Sequence, residues 1–204
     1  MHQLLSTATM LRTNPSTDAV SMPSSPANRA SLSKLYLCRG LLALLWAAAF
    51  APVHATLGPA ATALLVTYPL IDAVSSLVDY RALKRDPERR ITAFNAALST
   101  LAAIATGSAS AYGPAAVLAV FGAWAAIAGA AQFALGIRRR GQELGHQWPM
   151  LISGGLSFLV GITYCIRAAG PMPSLAVLSV YATGGGGFFV IQAGLLAWRS
   201  RRQR

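Results

Sequence analysis

The segment WPMLISGGLSFLVGITYCIRAAGPMPSLAVLSVYATGGGGFFVIQAGLLAWRSRR, residues 148–202, decides how the chain is read. No charged side chain occurs from Trp148 to Ile166, and after Arg167 none recurs until Arg199. A helix rises about 1.5 Å per residue and a bilayer core is about 30 Å thick, so each run is long enough to cross the hydrocarbon once. Between the runs, Gly170-Pro171-Met172-Pro173 cannot continue a helix, because proline lacks an N–H and restricts the residue before it. The segment predicts a membrane hairpin, closed by Arg199, Arg201, Arg202 and Arg204.

Composition extends this reading to the whole chain. Of 204 residues, 54% are hydrophobic and only 11% charged, too few to give a soluble domain a polar surface. A net charge of +11 would suggest nucleic acid in a soluble protein. Here the basic residues lie in short clusters beside apolar runs, where they set topology and meet anionic lipid head groups. Aromatic and basic residues do not interleave as on a nucleic-acid platform. The expected partner is therefore the lipid bilayer, and no nucleic acid is expected. Cys38 and Cys165 are too few for a disulfide framework, and the topology below puts them near opposite membrane faces.

Upstream of the deciding segment the same pattern recurs. Residues 1–33, rich in Ser, Thr, Pro and Asn, are predicted to be a disordered cytoplasmic tail. The membrane domain then occupies 34–204, with hairpins at about 35–83, 91–138 and 148–199. Its first run, Leu35 to Ala55, also resembles a cleavable secretory signal ending in Val53-His54-Ala55. The polar tail in front of it, and its place as the first arm of a hairpin, favour retention as a spanning helix. Gly58-Pro59 and Tyr112-Gly113-Pro114 turn the first two hairpins. In the fourth run Gly122, Ala126 and Ala130 recur at every fourth position, and the fifth carries Gly154, Gly155, Ser157 and Gly161. Such faces allow close helix approach in lipid, within the bundle or, as the lesser alternative, in a homo-oligomer. Gly184 to Gly187 in the sixth run weaken a helix by about 1 kcal/mol each in aqueous hosts, and predict a tightly packed crossing or a hinge. His146 lies in a polar loop without a second ligand at metal spacing, so no metal site is expected.

Basic residues also orient the chain. Sixteen of seventeen fall in the segment up to Arg39, the Arg81 to Arg90 loop, the Arg138 to Arg140 cluster or the carboxyl-terminal tail, and only Arg167 lies near the other turns. Basic residues stay on the cytoplasmic side of short loops, which places both termini inside and requires an even number of crossings. The fold class expected is all-α: a polytopic membrane protein of six transmembrane helices arranged as three repeated hairpins. Tyr80-Arg81, Ile137-Arg138 and Trp198-Arg199 end the three units, at intervals of 57 and 61 residues.

Arg39-Gly40 at the first hairpin, Gly154-Gly155-Leu156-Ser157-Phe158-Leu159-Val160-Gly161-Ile162 in the third, the prolines at the outer turns and the terminal arginines carry a family resemblance. From about Arg39 to Arg202 the chain resembles the HdeD family of small six-span bacterial membrane proteins. The resemblance implies a multi-pass protein of the bacterial inner membrane with a role in acid resistance or envelope stress, and it supplies no catalytic residues. The residues themselves contain no catalytic constellation, so no enzymatic activity and no cofactor are expected.

One stripe departs from a purely structural pattern. Tyr68, Asp72, Ser75, Ser76 and Asp79 share a face of the second helix, being three, four or seven residues apart. A carboxylate at mid-bilayer costs about 2.5–3.5 kcal/mol on insertion scales, so Asp72 should find partners inside the bundle or be protonated. Pro69, one turn earlier, removes a backbone N–H and frees a carbonyl nearby. The stripe is read either as a polar knot holding helices together or as the proton-handling site of a small transporter.

Overall fold

The computed structural model describes residues 26–82, 87–139 and 148–202. They form six helices: α1 Pro26–Phe50, α2 Pro59–Ala82, α3 Pro87–Ala109, α4 Pro114–Arg139, α5 Trp148–Ala168 and α6 Ala176–Arg202. A single 3-10 turn, Ser110–Tyr112, joins α3 to the next turn. Among the described residues there are no strands.

Four of the helices begin on proline. Proline fits the first helical position, where its missing N–H would have had no intrahelical partner and its φ is already helical. The residues that break one helix therefore start the next. Pro26 does this for α1, which starts ahead of Leu35, within the last residues of the 1–33 segment, and the Ser33 hydroxyl donates to the Ala193 carbonyl on α6 at 3.0 Å. Residues 1–25 lie outside the described set. Gly113, with φ +96°, supplies the left-handed residue that turns the chain into Pro114.

Five helices are long and apolar enough to cross a membrane: Pro59–Val78, Arg89–Tyr112, Pro114–Ala134, Leu151–Ala168 and Ala176–Trp198. This is a multi-pass membrane protein. The expected sixth crossing is shorter in its apolar part, Tyr36–Phe50, about 22 Å against a core of about 30 Å. Lys34 precedes it and Arg39 interrupts it near its start. What gives α1 its place is packing, since it lies along α6 for much of its length.

Each helix packs on its neighbours in chain order, and α6 returns to α1, closing a ring. The seams are unequal. The closest are α4 with α5, α1 with α6, and α2 with α3; α1 with α2 and α5 with α6 are the loosest. The tight pairs are thus not those joined by the turns at Pro59, Pro114 and Pro171. Those turns lie at one end of the bundle, the proline end; the opposite, basic end carries Arg81, Arg89 and Arg90.

Glycine explains two of the three tight seams, α1 with α6 through Gly40 and Gly186, and α4 with α5. A methyl group added at Gly122 would stand 2.7 Å from the Gly161 carbonyl oxygen, and one at Gly129 2.7 Å from that of Gly154. Two backbones this close gain dispersion contacts that no larger residue would permit in lipid. The small face of α4 is therefore Gly122, Ala126 and Gly129. Ala130, expected to belong to it, is exposed, because 3.6 residues per turn rotates a strict four-residue spacing off the seam.

The proline end is filled by a core that includes Trp46, Phe50, Leu65, Phe121, Leu118 and Leu178, all buried. Beside this core a cavity runs along the inside of the ring.

Candidate intramembrane polar site

The third tight seam, α2 with α3, is closed by polar groups instead of glycine. Asp72 Oδ2 accepts hydrogen bonds from Asn95 Nδ2 at 2.7 Å and from the Ser99 hydroxyl at 2.7 Å. The same Asn95 nitrogen gives its second hydrogen to the Ser76 hydroxyl at 2.9 Å. Ser99, having donated to Asp72, accepts from Trp124 Nε1 on α4 at 3.0 Å. One hydrogen of Asn95 and that of Ser99 both run toward Asp72, so Oδ2 acts as an acceptor. These hydrogen bonds offset the desolvation of a carboxyl group placed inside the bundle.

Tyr68 stands one turn away at the centre of an aromatic cluster. Its ring lies 4.6 Å from that of Trp46, 5.7 Å from Phe121, 6.1 Å from Trp124 and 6.3 Å from Tyr181, so it links α1, α2, α4 and α6. Pro69, fully buried, sits inside an α2 that remains one continuous helix. The Trp46 indole N–H donates to the Leu64 carbonyl at 2.6 Å, next to the carbonyl that Pro69 leaves without its usual donor.

These groups border a cavity of about 620 Å³ to which all six helices contribute. Tyr68, Asp72 and Ser75 line it from α2 and Asn95 from α3. On α4 and α5, Gln132 and Ser153 line it and are joined by a hydrogen bond of 2.9 Å. The lining on α5 runs from Ser153 to Arg167, about 21 Å along the helix, so the space is elongated along the bundle. Arg39 borders it toward the basic end and Arg167 toward the proline end.

Of the stripe read from sequence, Tyr68, Asp72 and Ser75 thus face the cavity, and Ser76 is buried against Asn95. The side chain of Asp79 lies outside those described, as does the loop containing His146. Among the described residues no group of three or more His, Cys, Asp or Glu could hold a metal. The partners of Asp72 were not read from the sequence. Their signal was available: Asn95 and Ser99 are four apart on one face of α3, as Asp72 and Ser76 are on α2.

The glycine run makes the expected close crossing at one position only. α6 passes through it unbroken. Only Gly186 is packed, against Gly40 and Leu44 of α1, whereas a Cβ at Gly184, Gly185 or Gly187 would meet nothing within 4 Å. Gly184 and Gly185 line the cavity and close no seam; they leave room.

Residues 110–166 match DUF308, a short repeat of unknown function. The matched segment contains the turn before α4, α4 itself and most of α5. It is the pair with the closest packing, and it crosses the basic end instead of the proline end, half a unit out of phase with the hairpins 91–138 and 148–199 read from sequence. No curated protein and no solved structure matches the chain.

Proposed function

We propose that the chain is an HdeD-like protein of the bacterial inner membrane, with both termini cytoplasmic and no enzymatic activity, that supports tolerance of acid or envelope stress. The DUF308 match supports this reading, since HdeD family proteins carry that repeat. The observation that adds a mechanism is the Asp72 site: a carboxyl group ordered by Asn95 and Ser99 at the wall of a cavity inside a membrane bundle. Ionisable residues at such positions commonly mark ion or substrate pathways. Stress tolerance then arises from handling a proton or small solute at this site, which unites the stress role with the transporter alternative.

The test is survival of a strain lacking the protein, complemented by the parent chain or by Asp72→Asn, after acid challenge, with membrane levels of both matched by immunoblot. The parent is expected to restore survival and Asp72→Asn to fail. Equal rescue by the two would remove the site from the stress role, and no rescue by the parent would remove the stress role itself.

A further inference from the structure

Arg167 stands apart from the other basic residues of the chain. It alone of seventeen lies near the proline end, where the turns 51–58, 110–113 and 169–175 hold no Asp or Glu. Its side chain is exposed, lines the cavity, and has no ion-pair partner among the described residues. Counted from the proline end, Arg167 lies one residue inside α5, whereas Arg39 and Asp72 lie eleven and thirteen residues inside α1 and α2, about 16 and 20 Å along their axes. Arg39 is already engaged. The charge left for a ligand is that of Arg167, at the edge of the span Leu151–Ala168 and so at the level of the head groups.

Below Arg167 the cavity suits hydrocarbon. The other polar side chains that line it from α4, α5 and α6 all have partners within the protein. Gln132 bonds Ser153 at 2.9 Å, the Ser157 and Tyr181 hydroxyls are 3.0 Å apart, and the Tyr164 hydroxyl donates to the Val177 carbonyl at 2.6 Å. The rest of these walls includes Leu156, Val160, Val180 and Phe188. Leu156 and Val180 are also 54% and 73% exposed, and both lie inside candidate spans, so that exposure is toward acyl chains. α5 and α6 pack loosely, and Gly184 and Gly185, on the same side, present no side chain where a Cβ would meet nothing. The hollow therefore opens sideways into the bilayer between α5 and α6. Its lining on α5, from Ser153 to Arg167, is about 21 Å long. That is enough for one acyl tail, which reaches about 15 Å into a core about 30 Å thick. A tail there makes dispersion contacts that an empty hollow forgoes.

We propose that the cavity holds one acyl chain of an anionic amphiphile that enters from the bilayer between α5 and α6, its carboxylate or phosphate head at Arg167 and its tail running past Gly184 and Gly185 toward Leu156. The head keeps the depth it has in the membrane, so entry takes no charge across the hydrocarbon. The inference goes beyond the stress role and is independent of the protonation of Asp72.

The experiment is equilibrium dialysis of the purified full-length chain against radiolabelled palmitate, with equal dodecyl maltoside on both sides. The competitors are butyrate, with the same head and no long tail; methyl palmitate, with the same tail and no charge; and hexadecyltrimethylammonium, with a tail of that length and the opposite charge. Palmitate is expected to bind saturably, and butyrate to compete at least roughly a hundredfold more weakly. The ester and the ammonium are expected to compete at least roughly fivefold more weakly. Arg167→Gln should weaken palmitate by roughly fivefold and leave the ester unchanged, so that the preference between them disappears; a misfolded chain would lose both. Gly184→Leu combined with Gly185→Leu should weaken palmitate and ester alike, by roughly tenfold or more, while Gly187→Leu, on the same helix but not lining the cavity, should bind like the parent. Dipalmitoyl phosphatidylglycerol separates the two sources of such a chain: competition as strong as that of palmitate points to a bilayer phospholipid, and weaker competition to a free fatty carboxylate. Absence of saturable palmitate binding, equal competition by the ester or the ammonium, or full binding by the doubly filled variant overturns the proposal. Failure here leaves the acid-survival test of Asp72→Asn untouched.

Discussion

Gly40 on α1 and Gly186 on α6 meet backbone to backbone: a methyl group on Gly40 would lie 2.8 Å from the Gly186 carbonyl oxygen, and one on Gly186 2.9 Å from that of Gly40. A backbone carbonyl cannot swing aside as the tip of a flexible side chain can. Gly186→Leu should therefore separate α1 from α6 and cost about 1–3 kcal/mol, the range for overpacking. Gly187→Leu, one residue on, meets nothing within 4 Å and should leave stability within about 0.5 kcal/mol of the parent. Reversible unfolding by sodium dodecyl sulfate in mixed micelles measures both, and equal stability of the two variants would refute the seam.

Removing the acceptor at the α2–α3 seam should be more harmful than neutralising it. Asp72→Leu leaves the Asn95 and Ser99 donors without their acceptor and should destabilise by about 1–3 kcal/mol. Asp72→Asn keeps an oxygen in place and should lose less. A double-mutant cycle with Ser99→Ala should give a coupling of about 0.5 kcal/mol or more; zero coupling would mean that the bond carries no net stability.

Ser99→Ala has its own optical signature. It takes the acceptor from Trp124 Nε1, whose indole is buried, at a cost of about 1 kcal/mol. With the other three tryptophans replaced by phenylalanine, the Trp124 emission maximum should shift on Ser99→Ala. An unchanged spectrum would place the indole elsewhere.

Topology follows from the charge distribution. A reporter fused after Arg204 should be active only in its cytoplasmic form, and a tag inserted after Gly113 should be reached by an impermeant reagent from outside. A carboxyl terminus found outside would reverse the orientation of the whole chain.

The purified protein should retain Leu35 to Ala55. Cleavage after Ala55 would remove α1 and leave α6 without the partner its Gly186 face is shaped for. Intact-mass measurement decides, and an amino terminus at Thr56 would show that the first run is a signal.

The sequence made the helices legible because 20-residue apolar runs and their proline breaks are local properties. It also pointed inward with Asp72, since a carboxylate on an apolar helix has few other places to go. What it concealed was which helices pair. Hairpin logic joins segments that are close in the chain, yet in lipid there is no hydrophobic drive between neighbours, and the closest seams form where two glycines or two polar groups happen to face each other. Gly129 with Gly154 is such a pair, and Asp72 with Asn95 another. The run Gly184 to Gly187 was opaque for the same reason: composition tells that side chains are missing, but only the surrounding helices tell whether the vacancy is filled by a backbone, as at Gly186, or left open, as at Gly184 and Gly185.

The return of α6 onto α1 sets an order of events during synthesis. Helices enter the membrane from the amino terminus onward, and contacts between the ends of a chain wait for the whole chain. α2 can join α3, and α4 can join α5, as soon as each is made. α1, with the shortest apolar stretch of the six, must remain in the bilayer without its main partner until the last residues leave the ribosome. A chain stopped before Ala176 would hold two finished pairs and one stranded helix, its Gly40 face left to the acyl chains.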